Sequence, residues 1–326
     1  MIGAPERRPV ASAGVAHPRT FRFGAQATTA ATGEAWAALA RRVEDLGYSS
    51  LFLPDHFGDQ LAPIPALQAA ADATTTLRVG ALVHGVDYKH PVVLAKEVAT
   101  LDLLSGGRVE FGLGAGWMTS DYEQAGIVKD GNGIRVSRME EALAVCRGLW
   151  ADGPFSHEGE HYRITELEGL PKPVQRPGPQ VLIGGGAPRV LGIAARQADI
   201  VGINPSLPSG VVDTATGADA VASRLDEKVG WVRDAAGDRF DELELNILVF
   251  FAQLTDDRHA VLETIAPMFG VTAADADDVP YAWIGSVGEI CDQLRAARDR
   301  WGTSYFVVPG DALDAMAPVV AELAGT

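Results

Sequence analysis

Short apolar runs alternate with longer amphipathic stretches from residue 21 to the end of the chain. FRFGAQA (21–27), SSLFLP (49–54), LRVGALV (77–83), RVEFGLG (108–114), QVLIGGG (180–186) and DIVGIN (199–204) read as strands, as do runs over 242–252 and 304–308. Continuous short runs of Val, Ile, Leu and Phe suit strands covered on both faces. Between them, GEAWAALARRVEDLGY (33–48) repeats its apolar positions at helical spacing and meets a glycine stop. Helices are also predicted over 65–75, over 91–107 with Pro at the start, over 136–150 and over 187–197. Strands alternating with helices mean parallel βαβ units, and eight of them in 326 residues predict a closed (β/α)8 TIM barrel rather than an open sheet. Residues 155–179, rich in Pro, Gly and His, read as an insertion inside the barrel. Residues 1–19 read as a disordered tail before a single domain over 20–326.

Composition narrows the function classes. Apolar residues make up 47% of the chain, enough for a large core. The net charge of -16 argues against nucleic-acid partners, which need a basic surface. No apolar run is long enough to span a membrane, and the N-terminal stretch lacks a signal-peptide core. Cys146 and Cys291 both fall in predicted helices, so no disulfide framework or cysteine metal site is implied. The expectation is a cytoplasmic protein with reduced thiols and a small-molecule ligand, with a homodimer allowed.

In a barrel, chemistry sits where the strands end. Asp55 and His56 end the second predicted strand, Leu82, Val83 and His84 the third, and Gly112 to Trp117 the fourth. Gly184, Gly185 and Gly186 end the fifth and Asn204 the sixth. Asp55-His56 reads either as an acid-base pair or as a turn with a packed histidine. GLGAGW is not a dinucleotide fingerprint, because Trp117 stands where the third glycine is needed. IGGGAPR is a glycine-rich turn leading into a helix, with Arg189 in the first turn, and suits an anion. His157, Glu158, Glu160 and His161 would suit zinc only on one helix face, and Gly159 argues for a hairpin instead, so no metal is expected. No GxSxG is present, and no cysteine stands beside a base.

Taken together, DHF (55–57), VDYKHP (86–91), LSGGRVEFGLGAGW (104–117) and GEHYRITELEGLPKPVQRPGPQVLIGGG (159–186) resemble the bacterial-luciferase-like monooxygenase superfamily, most closely its coenzyme F420-dependent branch. The resemblance implies a barrel with insertions and an oxidoreductase that binds the deazaflavin F420 at the rim, FMN being the alternative cofactor. It implies His56 as the acid-base group and a nonprolyl cis peptide at Leu82–Val83. Cofactor contacts are implied at Asp55, Leu82, Val83, His84, Gly85, Gly114, Ala115, Gly116, Gly184, Gly185, Gly186, Pro188, Arg189 and Asn204. In the branch's sugar-phosphate dehydrogenase a carboxylate follows the glycine of the fourth loop. Here that position is Trp117, which implies a less polar substrate and an aromatic pocket wall. Two other readings stand beside this one, an FMN-dependent monooxygenase fed by a partner reductase and a cofactor-binding barrel without turnover.

Overall fold

The apolar runs pair edge to edge, each with the run before it. The structure, a computed structural model, describes residues 19–326. Arg19 apart, the expected tail lies outside the described residues. Eight strands form the barrel: β1 (Arg22–Gln26), β2 (Ser50–Leu53), β3 (Arg78–Ala81), β4 (Val109–Gly114), β5 (Gln180–Gly185), β6 (Ile200–Ile203), β7 (Glu244–Leu248) and β8 (Thr303–Pro309). Every pairing between consecutive strands is parallel, and β8 returns to β1, so the sheet closes into the (β/α)8 barrel that the alternation predicts.

A helix follows each strand: α1 (Gly33–Asp45), α2 (Pro63–Ala73), α3 (Pro91–Leu104), α4 (Asn132–Trp150), α5 (Pro188–Gln197), α6 (Ala222–Ala236), α7 (Val287–Trp301) and α8 (Leu313–Leu323). Their starts are chemically marked. Thr32 caps α1, Ser286 and Glu289 form a capping box on α7, and α2, α3 and α5 open on proline, whose missing N–H costs nothing in the first turn. Apolar side chains fill the layer between strands and helices.

The barrel interior is divided. Phe52, Leu182, Ile200, Tyr305 and Val307 pack its middle. Toward the N-terminal ends of the strands lies a charged cluster. Fully buried Glu110 accepts from Arg22 at 2.5 Å, Arg78 at 2.7 Å and the Tyr305 hydroxyl at 3.0 Å. Arg22 also reaches Glu244 at 2.7 Å and lies 3.8 Å over the Tyr305 ring. Burial works against the Glu110 charge, yet the two guanidinium groups hold its carboxyl below the usual range. This end is plugged, so a ligand has only the other end.

Two segments depart from the expected outline. Within 155–179 the chain forms a hairpin, Pro154–Glu158 against Arg163–Glu168. Glu141 of α4 holds its tip by accepting the N–H groups of His161 at 2.9 Å and Tyr162 at 2.8 Å. The expected seventh strand over 242–252 is two strands. β7 stops at Leu248, and the N–H groups of Phe250 and Phe251 turn to the Tyr281 carbonyl. Phe251–Leu254 then pairs with Ala282–Gly285 outside the barrel, a second insertion that apolar content does not separate from β7. Among the described residues no helix is long and apolar enough to cross a membrane.

Candidate active site

β2 ends at Pro54, which cannot donate to a sheet ladder, so the chain leaves the barrel and releases Asp55 and His56 at the mouth. The two side chains then diverge. Asp55 turns to β3, where Oδ2 accepts the Gly85 N–H at 3.2 Å and lies 3.6 Å from His84 Nδ1. Burial alone would raise this carboxyl, but His84, the Gly85 N–H and Lys89 outweigh it and keep it ionised below its usual range. β3 stops at Ala81, the Leu82–Val83 peptide is cis as the resemblance implies, and His84–Gly85 resumes pairing with β4. Val83 explains a glycine: a side chain at Gly114 would collide with it.

His56 turns the other way. Its Nδ1 lies 2.6 Å from Asp121 Oδ2, and its ring meets Trp117 edge-on at 5.5 Å. Gly116 has φ +70°, and a side chain there would strike the Tyr122 hydroxyl. Trp117 is partly exposed, not a plug in the interior. By its polarity the run Thr119-Ser120-Asp121 does not read as core. Yet it opens a short helix, Thr119–Ala125, that carries Asp121 inward to 4% exposure. Burial is tolerable because the carboxylate also accepts the Tyr88 hydroxyl at 3.0 Å and the Phe57 N–H at 3.3 Å. The loop is fixed from behind: Tyr122 donates to Asp87 at 2.7 Å, and Arg135 donates to the Gly116 carbonyl at 2.7 Å.

On the far side of the mouth the glycines of β5 serve packing. A side chain at Gly185 would collide with Val190, and one at Gly186 would come within 2.6 Å of the Ser206 nitrogen. α5 begins at Pro188 with no side-chain cap, which leaves its first-turn N–H groups to solvent or ligand. Arg189 is already engaged, donating to the Gly133 carbonyl at 2.8 Å and Ser137 Oγ at 2.7 Å on α4. Asn204 is held by its backbone, whose carbonyl accepts from fully buried Lys228 at 2.9 Å, and Lys228 pairs with Asp219 at 2.6 Å. Asn204 Oδ1 and His84 Nδ1, both at the mouth, are among the buried atoms that lack hydrogen-bond partners.

The structure thus brings Asp55, His56, Val83, His84, Gly114, Gly116, Trp117, Gly184 and Asn204 to one end of the barrel. It adds Asp121, Tyr88 and Lys228, which the sequence pattern does not single out. Asp121 lies 65 positions from His56, in a polar run that does not read as core. Exposed apolar side chains stand on the loops of this end, with Phe57 at 49%, Val212 at 73% and Phe250 at 44%. A cleft of about 370 Å³, lined by Val86, Asp87, His90, Arg138 and Tyr162, opens beside it. A more enclosed cavity of about 160 Å³ lies elsewhere, between α6 and α7, and touches none of these residues. Among the described residues no cluster of three or more His, Cys, Asp or Glu could hold a metal ion.

Known proteins share this architecture. The chain is 32% identical over 109 residues to an FMNH(2)-dependent dimethylsulfone monooxygenase of Pseudomonas putida, covering 33% of this chain and 30% of that protein. It is 25% identical over 300 residues to an F420-dependent glucose-6-phosphate dehydrogenase of Intrasporangium calvum, covering 83% and 87%. The solved coenzyme F420 dependent tetrahydromethanopterin reductase from Methanopyrus kandleri superposes with a TM-score of 0.74 at 17% identity, over 94% of this chain and 100% of that one, a likeness of fold. Residues 16–320 match the family model described as luciferase-like monooxygenase, and the chain belongs to that family.

Proposed function

We propose that this protein is an F420-dependent oxidoreductase acting on a small organic substrate at the C-terminal mouth of the barrel. The observation that carries the reading is the His56 imidazole, held at the mouth between Trp117 and Asp121. When bound, F420 supplies the hydride chemistry. The residues present fit such a group. The partnerless Asn204 Oδ1 is an acceptor for a ligand N–H, and the uncapped first turn of α5 receives an anionic tail. Val83 fills the space that Gly114 leaves and lies against Gly184, so it stands at the mouth as an apolar backing. Asp55, Leu82, Val83, His84, Gly85, Ala115, Gly116, Gly185, Gly186, Pro188 and Arg189 complete the cofactor surface in this reading. His56 holds and moves the proton that accompanies hydride transfer at a substrate oxygen or nitrogen.

The substrate side is apolar. Trp117 and the exposed Phe57 stand there in this reading, Lys89, Arg138 and Lys228 are each paired with a carboxylate, and Lys129 donates to the Thr119 hydroxyl. FMN is the competing cofactor, because the dimethylsulfone monooxygenase relative is FMNH(2)-dependent. Parallel titrations of the protein with F420 and FMN, followed by fluorescence, separate the two. Micromolar or tighter binding of F420 with no FMN binding is expected; FMN binding alone would overturn the reading, and binding of neither would leave only a barrel of this family.

A further inference from the structure

The loop after β4 sets a carboxylate behind His56, and the reading above does not say what it does to the imidazole. Asp121 Oδ2 lies 2.6 Å from His56 Nδ1 and 3.0 Å from the Tyr88 hydroxyl, while Oδ1 accepts the Phe57 N–H at 3.3 Å. The partners come from the loops after β2 and β3 and the acceptor from the loop after β4, so the contact exists only because the barrel closes those ends together. An ionised carboxylate can only accept, so each of its partners must bring a proton. Tyr88 keeps its own, since burial and the adjacent Asp121 raise its pKa. Among the described residues Asp121 is the partner at Nδ1: Trp117 meets the His56 ring at a right angle, and Asp55 is turned toward Gly85 and His84.

We propose that Asp121 is a positioning residue that holds neutral His56 in its Nδ1–H tautomer and so leaves Nε2 as the nitrogen that exchanges a proton with substrate. In that exchange Nε2 forms one N–H bond as an O–H or N–H bond of the substrate breaks, and the electron pair of the broken bond stays on the substrate heteroatom. Asp121 remains a carboxylate throughout and faces imidazolium in place of imidazole. The reverse direction returns the proton by the same route. Substrate contact at Nε2 rests on the proposed function; the tautomer does not.

The tautomer is directly readable from long-range ¹⁵N–¹H correlation spectra of the ¹⁵N-labelled full chain at alkaline pH, where imidazoles are neutral. The His56 signals are those lost in His56→Gln. In the wild type, Nδ1 is expected at the shift of a protonated ring nitrogen and Nε2 at that of a bare one. In Asp121→Asn the side-chain amide can donate to Nδ1, and the order of the two shifts is expected to reverse. Tyr88→Phe, which leaves the carboxylate in place, is expected to keep the wild-type order. A wild-type His56 protonated at Nε2, or shifts unchanged in a folded Asp121→Asn, would overturn the proposal. The wild-type spectrum decides even if Asp121→Asn does not fold. F420 is absent from these samples, so failure of F420 to bind in the titration above and failure of the tautomer assignment are separate results.

Discussion

His56 and Trp117 touch each other and are both partly exposed, but one carries a titratable ring and the other an apolar one, and this separates what their removal does. In the proposed function His56 carries the proton chemistry, so His56→Ala is expected to cut turnover about 10²–10⁴-fold, the range of positioned acid-base groups. Its F420 dissociation constant is expected to stay within a few-fold of wild type. Steady-state kinetics and fluorescence titration check this, and weakened binding with unchanged turnover would make His56 a cofactor contact. Trp117 is partly exposed at the mouth. A buried tryptophan cut to Ala costs about 3–5 kcal/mol, so Trp117→Ala is expected to fall well short of that loss while changing which substrates are accepted. Denaturant titration and a substrate panel test the two halves, and F420 binding to the parent is expected to quench Trp117 fluorescence. The glycines carry a different lesson. Because Val190 occupies the space beside Gly185, a Gly185→Val variant reports on packing before it reports on ligand approach.

Elements are tied to one another by single side chains at their ends. Glu44, near the end of α1, accepts the N–H groups of Thr75 at 3.0 Å, Thr76 at 2.6 Å and Leu77 at 2.9 Å, which fixes the start of β3. Slight burial opposes its charge, but these donors and the Thr76 hydroxyl outweigh it and lower its pKa to about 2. A carboxyl with a depressed folded-state pKa contributes stability that is complete above its unfolded value, near 4.5, and is lost as pH falls toward 2. Glu44→Gln is therefore expected to lower the melting temperature at pH 7 by roughly 2–4 °C, the shift for about 1 kcal/mol in a domain of this class. The gap between variant and parent is expected to shrink as both are acidified through that window. An unchanged gap at low pH would show that geometry, not charge, is what Glu44 supplies.

The whole molecule is polarised along the barrel axis. Ion pairs seal the N-terminal end, and loops with apolar tips surround the other. Glu110 has no exposure and answers two guanidinium groups, so its removal leaves Arg78 without a carboxylate partner and Arg22 with Glu244 alone. Breaking a buried pair in this way costs about 3–5 kcal/mol, and Glu110→Ala is expected to show a loss of that size in urea unfolding. F420 affinity in the variant is expected to survive under native conditions, because the cluster and the mouth occupy opposite ends of the strands. A variant that keeps its stability would mean that the guanidinium groups reach water without Glu110.

The alternation of apolar runs was enough to establish the eight-strand barrel, since a run covered on both faces has few other places to go. The mouth residues Asp55, His56, Val83 and Asn204 were legible for the same reason: once the strands are placed, their C-terminal ends are placed too. Apolar content alone left the boundary between β7 and Phe251–Leu254 undrawn, because both are apolar and only hydrogen bonding separates them. It also gave no reason to place Asp121 in the site. A carboxylate is buried only where donors await it, and the Nδ1 of His56, the Tyr88 hydroxyl and the Phe57 N–H come from segments up to 65 residues away in sequence. Closure of the barrel brings those donors together, and that convergence, which no local pattern encodes, made Asp121 part of the site.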